Sequence, residues 1–328
     1  MQLLSKMRDL IIANALHATP WAKWSKSAIA GDASARRYFR LTQAGTPAVI
    51  VMDDPTFATN QFADIAVFLS DAGFAAPEIL HHDATIGFMI ISDLGHSDFA
   101  THLRTTPQDE AALYQSATQI LCNLHTQKTK IPLGTIDHSN AAHMIDLAAL
   151  HYAPDPLCKD ELEAAMHSAY AVNVDPTPHI ALRDFHAENL IWRPDQSGQN
   201  RVGLLDFQDA CHAPAGYDLM SLLHDARRDI GPGISQNCIA QFCAATDTDP
   251  VQMSAHLACV SAQRNLRILG IFARLAHNNG KLKYLRLLPR VWSHLMTDLA
   301  HPALADLRKV VIRALPPPDA ATLQRLQP

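Results

Sequence analysis

The chain has 328 residues, 48% hydrophobic and 18% charged, a globular composition with enough apolar material for one large or two smaller domains. Lys and Arg number 27 against 32 Asp and Glu, a formal charge of −5, so no global basic field is present to steer nucleic acid and none is expected as a partner. No apolar run reaches the roughly 18 residues of a membrane span. The six cysteines show no C-x-x-C pair, so they read as buried thiols of a reducing, cytoplasmic compartment.

At the amino terminus Lys6 and Arg8 precede Leu10-Ile11-Ile12-Ala13, but Asp9 and Asn14 interrupt the setting. An amphipathic helix over 1–17 is the better reading than a signal peptide. Strands are expected at 28–30, 37–41 and 48–52, with turns at Gly31-Asp32 and Ala44-Gly45. Trp21 and Trp24 read as packing residues and His81-His82 as a surface pair. Phe62, Ile65, Ala66 and Leu69 then mark one helical stripe, with Thr59 as the candidate N-cap. A strand pair is expected over 79–92, and the Asp93-Leu94-Gly95 that follows suits a change of direction. Helices are expected over 107–127, 139–151, 157–171 and most of 216–315, interrupted by a β segment from 179 to 206. A β-rich first third followed by a helical remainder suggests two lobes, 1–94 and 95–328, with a cleft between them. A doubly wound sheet would alternate strand and helix throughout, and this order does not.

The informative segment is Leu182-Arg183-Asp184-Phe185-His186-Ala187-Glu188-Asn189, followed by Leu204-Leu205-Asp206-Phe207. The apolar runs 189–193 and 201–205 are joined by turn residues. As an antiparallel hairpin they would bring Asn189 and Asp206 together at the open end, where the 183–188 loop delivers Asp184. Two acids and an amide oxygen make a hard-oxygen site suited to Mg²⁺ with phosphate. Phosphoryl transfer needs such ligands and a carboxylate that accepts the attacking hydroxyl's proton. An Asp of ordinary pKa, about 3.9, is ionised at neutral pH, so Asp184 can serve without tuning. Asp184 and Asn189 also have the five-residue spacing of the protein-kinase base and metal Asn. Asp206-Phe207 takes the place of the later D-F-G, with Gln208 instead of Gly. Singly, each residue could be a turn or cap residue.

The run RDFHAEN…LLDFQDA…YDLMSLL resembles the catalytic core of the aminoglycoside phosphotransferase/choline kinase superfamily. It is most similar to the bacterial cell-wall kinases that phosphorylate the anomeric hydroxyl of N-acetylmuramate and N-acetylglucosamine. Residues 32–40, 51–55 and 263–274 carry the likeness further, from about residue 30 to about residue 295. The resemblance implies an α+β, bilobal protein-kinase-like fold with ATP and Mg²⁺ as cofactors and a small-molecule sugar as partner. It implies Asp184 as base, Asn189 and Asp206 on Mg²⁺, and Asp218 as a buried acid bracing the catalytic loop. The loop from Gly31 to Arg37, including Ser34, Arg36 and Arg37, would cover the phosphates, and the main chain of Ser92, Asp93 and Leu94 would read adenine. Arg183, His186, Asp209 and Arg264 are supporting or substrate candidates; for His186 a structural role is an equal alternative, as is a cap for Asp209.

Two departures stand out. Leu182 replaces the usual His two residues before the base, and Val49-Ile50-Val51-Met52 holds no phosphate-anchoring Lys, which leaves Arg36 or Arg37 as the candidate charge. From 261 to 297 there are seven Lys or Arg and no Asp or Glu. If this stretch lines the substrate site it favours a neutral or anionic acceptor, such as the lactyl carboxylate of N-acetylmuramate, over a polycationic aminoglycoside. A solvated helix face is the even alternative. The rival readings are a kinase of another alcohol or aminoglycoside on the same fold, and a nucleotide-binding regulator without catalysis.

Overall fold

Short, mostly apolar runs separated by turn residues recur in the first third of the chain, and they fold into one antiparallel sheet. The computed structural model describes the chain apart from Met1 and residues 30–35. Helix α1 (Gln2–His17) leads into β1 (Ser25–Ile29), β2 (Arg37–Thr42) and β3 (Val49–Asp53). Then come α2 (Thr59–Asp71), β4 (Ile79–Asp83) and β5 (Phe88–Ser92). The sheet order is β1-β2-β3-β5-β4, with every neighbouring pair antiparallel. Successive side chains on a strand point to opposite faces, so Leu41, Val49, Val51, Phe88 and Ile90 gather on one side. There they pack with Ile12 and Leu16 of α1, flanked by Trp21 and Trp24. All five residues of the central β3 are buried, so both of its faces are covered.

The edge strand β1 begins three residues before the expected segment. Its five residues are all exposed, so no hydrophobic pattern marks its start. Thr59 is not the N-cap of α2: it is the first residue of the helix, and its buried hydroxyl meets His82 Nε2 at 2.9 Å. His82 is therefore part of the fold, and His81 lies edge-on to Phe88.

Helices α3 (Phe99–Thr105), α4 (Glu110–His125), α5 (His138–His143) and α6 (Lys159–Asn173) follow, with a π-helical turn at Ala148–Tyr152. Then come β6 (His179–Ala181), β7 (Leu190–Trp192), β8 (Val202–Leu204) and β9 (Cys211–Ala213), in the antiparallel pairs β6–β9 and β7–β8. The remainder is helical: α7 (Tyr217–Leu223), α8 (Ile234–Thr246), α9 (Pro250–Asn279), α10 (Leu288–Leu299), α11 (Ala305–Ala314) and α12 (Ala320–Arg325).

Two compact units result, residues 1–102 with 189–208, and residues 103–188 with 209–328. The hairpin β7–β8 thus joins the sheet-bearing unit, across a boundary at residue 102 where 94 was expected. It is bonded there: Leu204 N donates to Ala75 O and Trp192 N to Ser97 O, both at 2.8 Å. The chain is α+β and of the bilobal protein-kinase-like class, with the five-stranded sheet in one unit and most of the helix in the other.

The second unit is organised on α9, a 30-residue helix with local signals at both ends. Asp249 accepts from Val251 N, Pro250 stands in the first turn, and Gly280 closes the helix at φ +63°. Leu266, Leu269 and Ala273 of α9 share a core with Tyr152, Tyr170, Tyr217, Leu288 and Val291. Gly270 lets the π-helical turn approach: a Cβ there would lie 2.2 Å from the Leu147 carbonyl carbon.

Candidate active site

The candidate residues fall into two groups, one in each unit. In the second unit the loop after β6 carries Asp184. Asp184 N donates to Leu182 O at 3.0 Å, closing a three-residue turn around Arg183, whose φ is +72°. A bulky side chain in the left-handed region is strained by about 1–3 kcal/mol, and surrounding contacts must impose it. They are present. Asp218, at the start of α7 and buried, accepts from Leu182 N at 2.5 Å and from Arg183 N at 2.9 Å. Ser221 Oγ donates to Arg183 O at 3.2 Å, and Arg264 Nη2 donates to Ser221 Oγ at 2.6 Å. With α7 clamping both sides of the strained peptide and Arg264 of α9 bonded to the Ser221 clamp, the position of Leu182 is filled by a 2% exposed apolar side chain. Packing and Asp218 hold the loop where the superfamily usually has His.

Burial raises the Asp218 pKa to about 6, against the two amide donors and Arg264, which pull it down. The carboxylate is thus ionised at neutral pH, though less firmly than a surface Asp. His186 is buried. The side chain of Asp209 is exposed, and its carbonyl accepts from Arg183 Nη1 at 3.4 Å.

In the first unit β7 and β8 pair in the register Leu190↔Leu204, and Leu205 N donates to Asn189 O at 3.0 Å. Asn189 therefore stands on the last rung of the hairpin and Asp206 one residue beyond it. Asp206 has φ +56°, a region that Asp tolerates. Its neighbours anchor it: Phe207 is fully buried and stacked on Phe62 of α2 at 4.8 Å, and Gln208 Nε2 donates to Asp206 Oδ1 at 2.9 Å. The Gln in place of Gly thus orients the acid. An amide oxygen and a carboxylate at the hairpin mouth form a donor set that fits a hard cation such as Mg²⁺.

The structure separates Arg36 from Arg37. Arg36 Nε donates to the buried Asp54 at 2.8 Å, and its guanidinium lies within electrostatic reach of Asp206. Burial opposes its charge, but Asp54, Tyr38 and Asp206 outweigh it and raise the pKa. Arg37 instead binds Asp53 and Asp9, where Arg8 of α1 also reaches Asp53. Tyr38 shares the cluster with Arg36: burial, with Asp206 adding, pushes its phenol up to about 12. Ser34 lies outside the described residues, as does the loop from Gly31 to Ala35.

At the segment after β5, Ser92 N donates to Glu78 O and Ser92 Oγ accepts from Glu78 N, both at 2.8 Å. Arg40 Nε donates to Asp93 at 2.5 Å. Both side chains are therefore structural, and the backbone of Leu94 makes no hydrogen bond among the described residues. Tyr38, Arg40, Asp54 and Arg267 are site-region residues that the sequence reading did not single out. The signal for Arg267 was the basic stretch, which the structure divides. Arg264 and Arg267 lie near the loop that carries Asp184, Arg290 is tied to Asp229, and Arg274, Lys283 and Arg286 are exposed.

Residues 27–256 match the phosphotransferase enzyme family. The chain belongs to that family. It is 33% identical to the N-acetylmuramate/N-acetylglucosamine kinase of Caulobacter vibrioides, over 95% of this chain and 98% of the relative. The kinase of the same description from Pseudomonas aeruginosa is 29% identical, over 85% of this chain and 86% of its own. Among solved structures, a choline/ethanolamine kinase family protein from Mesorhizobium loti superposes with a TM-score of 0.66 at 16% identity, covering 92% of this chain and 99% of that one. That last likeness is one of fold. Family and fold are those of phosphotransferases that use a hydroxyl as acceptor. No helix among the described residues is long and apolar enough to cross a membrane.

Proposed function

We propose that the protein is an ATP-dependent sugar kinase that phosphorylates the anomeric hydroxyl of N-acetylmuramate or N-acetylglucosamine, in the recycling of peptidoglycan. The observation that carries this reading is the 33% identity to a kinase of that description over nearly the whole of both chains. The strained, doubly braced turn at Asp184 supports a catalytic use of that loop, because such strain concentrates at functional sites.

In this reading Asp184 accepts the proton of the C1 hydroxyl as its oxygen bonds to the γ-phosphorus. The bond from that phosphorus to the β,γ-bridging oxygen breaks, and ADP and the sugar 1-phosphate leave. Asn189 and Asp206 hold Mg²⁺, which when bound neutralises charge on the phosphates. Arg36 supplies the cation that a strand lysine gives elsewhere, Gln208 orients Asp206, and the Leu94 backbone takes the adenine edge. The six free cysteines, five of them buried, suit a reducing cytoplasm.

The test is to incubate the protein with ATP, Mg²⁺ and each of N-acetylmuramate, N-acetylglucosamine, glucose, choline and kanamycin, and to locate the phosphate in the product. A 1-phosphate of the N-acetylhexosamines, lost in Asp184→Asn, is the expected result. Turnover of choline or kanamycin with none of the amino sugars would sink the proposal.

A further inference from the structure

Arg267 is a partly buried cation of the second unit for which the described residues provide no hydrogen-bonded partner. It rises from α9 one turn beyond Arg264, and it is only partly exposed. Arg264 is bonded to Ser221 and Arg183 to the Asp209 carbonyl. Arg267 makes no hydrogen bond or ion pair among the described residues. Its surroundings are Tyr217, Arg183, Asp184 and Arg264, so two further guanidiniums crowd it beside the carboxylate assigned as base. Burial disfavours its charged form, and Arg183 and Arg264 add to this, against Tyr217 and Asp184, which favour it. A partly dehydrated, unpaired guanidinium is a costly thing to hold. An anionic group with two oxygens, arriving from outside, would relieve that cost by matching the fork of donors.

We infer that Arg267 binds a carboxylate on the acceptor and sets the preference of the enzyme for an acidic sugar. This deepens the proposed function and rests on it. N-acetylmuramate and N-acetylglucosamine differ only in the lactyl ether on O3, a short arm that carries its carboxylate from C3, two ring positions from the reacting C1. An acceptor with its C1 hydroxyl at Asp184 would carry that carboxylate into the neighbourhood that Asp184 shares with Arg267. The cation assigned to the nucleotide, Arg36, belongs to the other unit, whereas Arg267 shares its unit with Asp184. The same placement accounts for the two arginines of the acid-free stretch 261–297 that reach the catalytic loop, while its exposed members face solvent.

The test is a cycle of two substrates and two proteins: N-acetylmuramate and its methyl ester, with the native chain and Arg267→Gln. In the native enzyme the acid is expected to exceed the ester in kcat/KM by about 10- to 100-fold, the worth of a charge-assisted hydrogen-bonded pair. In the Arg267→Gln variant that ratio should collapse toward one, chiefly through KM for the acid. N-acetylglucosamine should lose much less than N-acetylmuramate. Arg267→Lys keeps the charge without the fork and should recover part of the ratio; it also carries the comparison if the Gln variant does not fold. Equal native rates for acid and ester would overturn the inference without any variant. So would equal losses on all three sugars, which would put the guanidinium on the phosphate or in the loop's support. If the native chain turns over none of these sugars, the proposed function itself fails, and the inference with it.

Discussion

Replacing Asp218 by Asn tests whether the brace under the catalytic loop is functional. The carboxylate accepts two amides, Leu182 N at 2.5 Å and Arg183 N at 2.9 Å. An Asn keeps one acceptor and turns an NH₂ group toward the other amide. One charge-assisted hydrogen bond is lost, about 1.5–3 kcal/mol. Against this stands the cost of burying the charge. Burial raises the pKa of Asp218 to about 6, and the displacement from about 3.9 corresponds to about 3 kcal/mol in favour of the neutral form. Because that displacement is already net of the two amides, which lower the pKa, relief of the buried charge outweighs the lost bond, and the variant should fold with a stability at least equal to that of the native protein.

Catalysis should not be spared. Without both amide clamps Arg183 can leave φ +72°, and a shift of Asp184 of about 1 Å lowers kcat by about 100-fold. KM for ATP should move little, because the residues proposed for the nucleotide belong to the other unit. The pH dependence adds a second readout. A folded pKa above the unfolded one means that the native state holds its proton more tightly. Asp218 therefore stabilises the fold at low pH and loses that contribution as pH rises through about 4 to 6. Activity should run the opposite way, because the ionised form accepts both amides. An ADP-release assay from pH 5 to 8 should show a low-pH limb near 6 that Asp218→Asn lacks. A variant with native kcat and an unchanged limb would refute the brace.

Arg36→Met should lower kcat/KM for ATP by about 10- to 100-fold, whereas Arg37→Met should change it less than about threefold and chiefly lower the melting temperature; steady-state kinetics and thermal unfolding separate the two. Gly270→Ala gains about 1 kcal/mol of helix propensity but drives a Cβ into the Leu147 backbone, where no side chain can yield. The melting temperature should fall, and a rise would show that the π-helical turn adjusts freely. Burial, helped by neighbouring cations, lowers His125 and His294 to about 4. Their contribution to stability is complete above about 6.5 and is lost as pH falls through about 4. Urea unfolding at pH 7 and pH 5 should show the loss, and His125→Phe should reduce it.

Much of the first unit could be read locally because its signals are local. Short apolar runs bounded by turn residues marked β2 to β5, the 62-65-66-69 stripe marked α2, and turn residues between two apolar runs marked the β7–β8 hairpin and its register. What escaped had no local signature. Strand β1 is exposed throughout, and α3 buries only Phe99 and Leu103 from its seven residues. The pair β6–β9 joins three-residue strands 30 positions apart, which no window of sequence reveals. The hydroxyl of Thr59 was assigned to its own helix because its true partner, His82, is on another strand.

The same division runs through the site. The spacing of Asp184, Asn189 and Asp206 and the resemblance around them are properties of the sequence, since they depend on residue type and on hairpin register alone. Which arginine faces Asp206, which one carries no partner, and how Asp218 forces Arg183 into the left-handed region depend on elements that are brought together only by folding. A charge acquires its role from what lies within a few ångströms of it and from the water it has lost, and neither quantity is encoded at its own position in the chain.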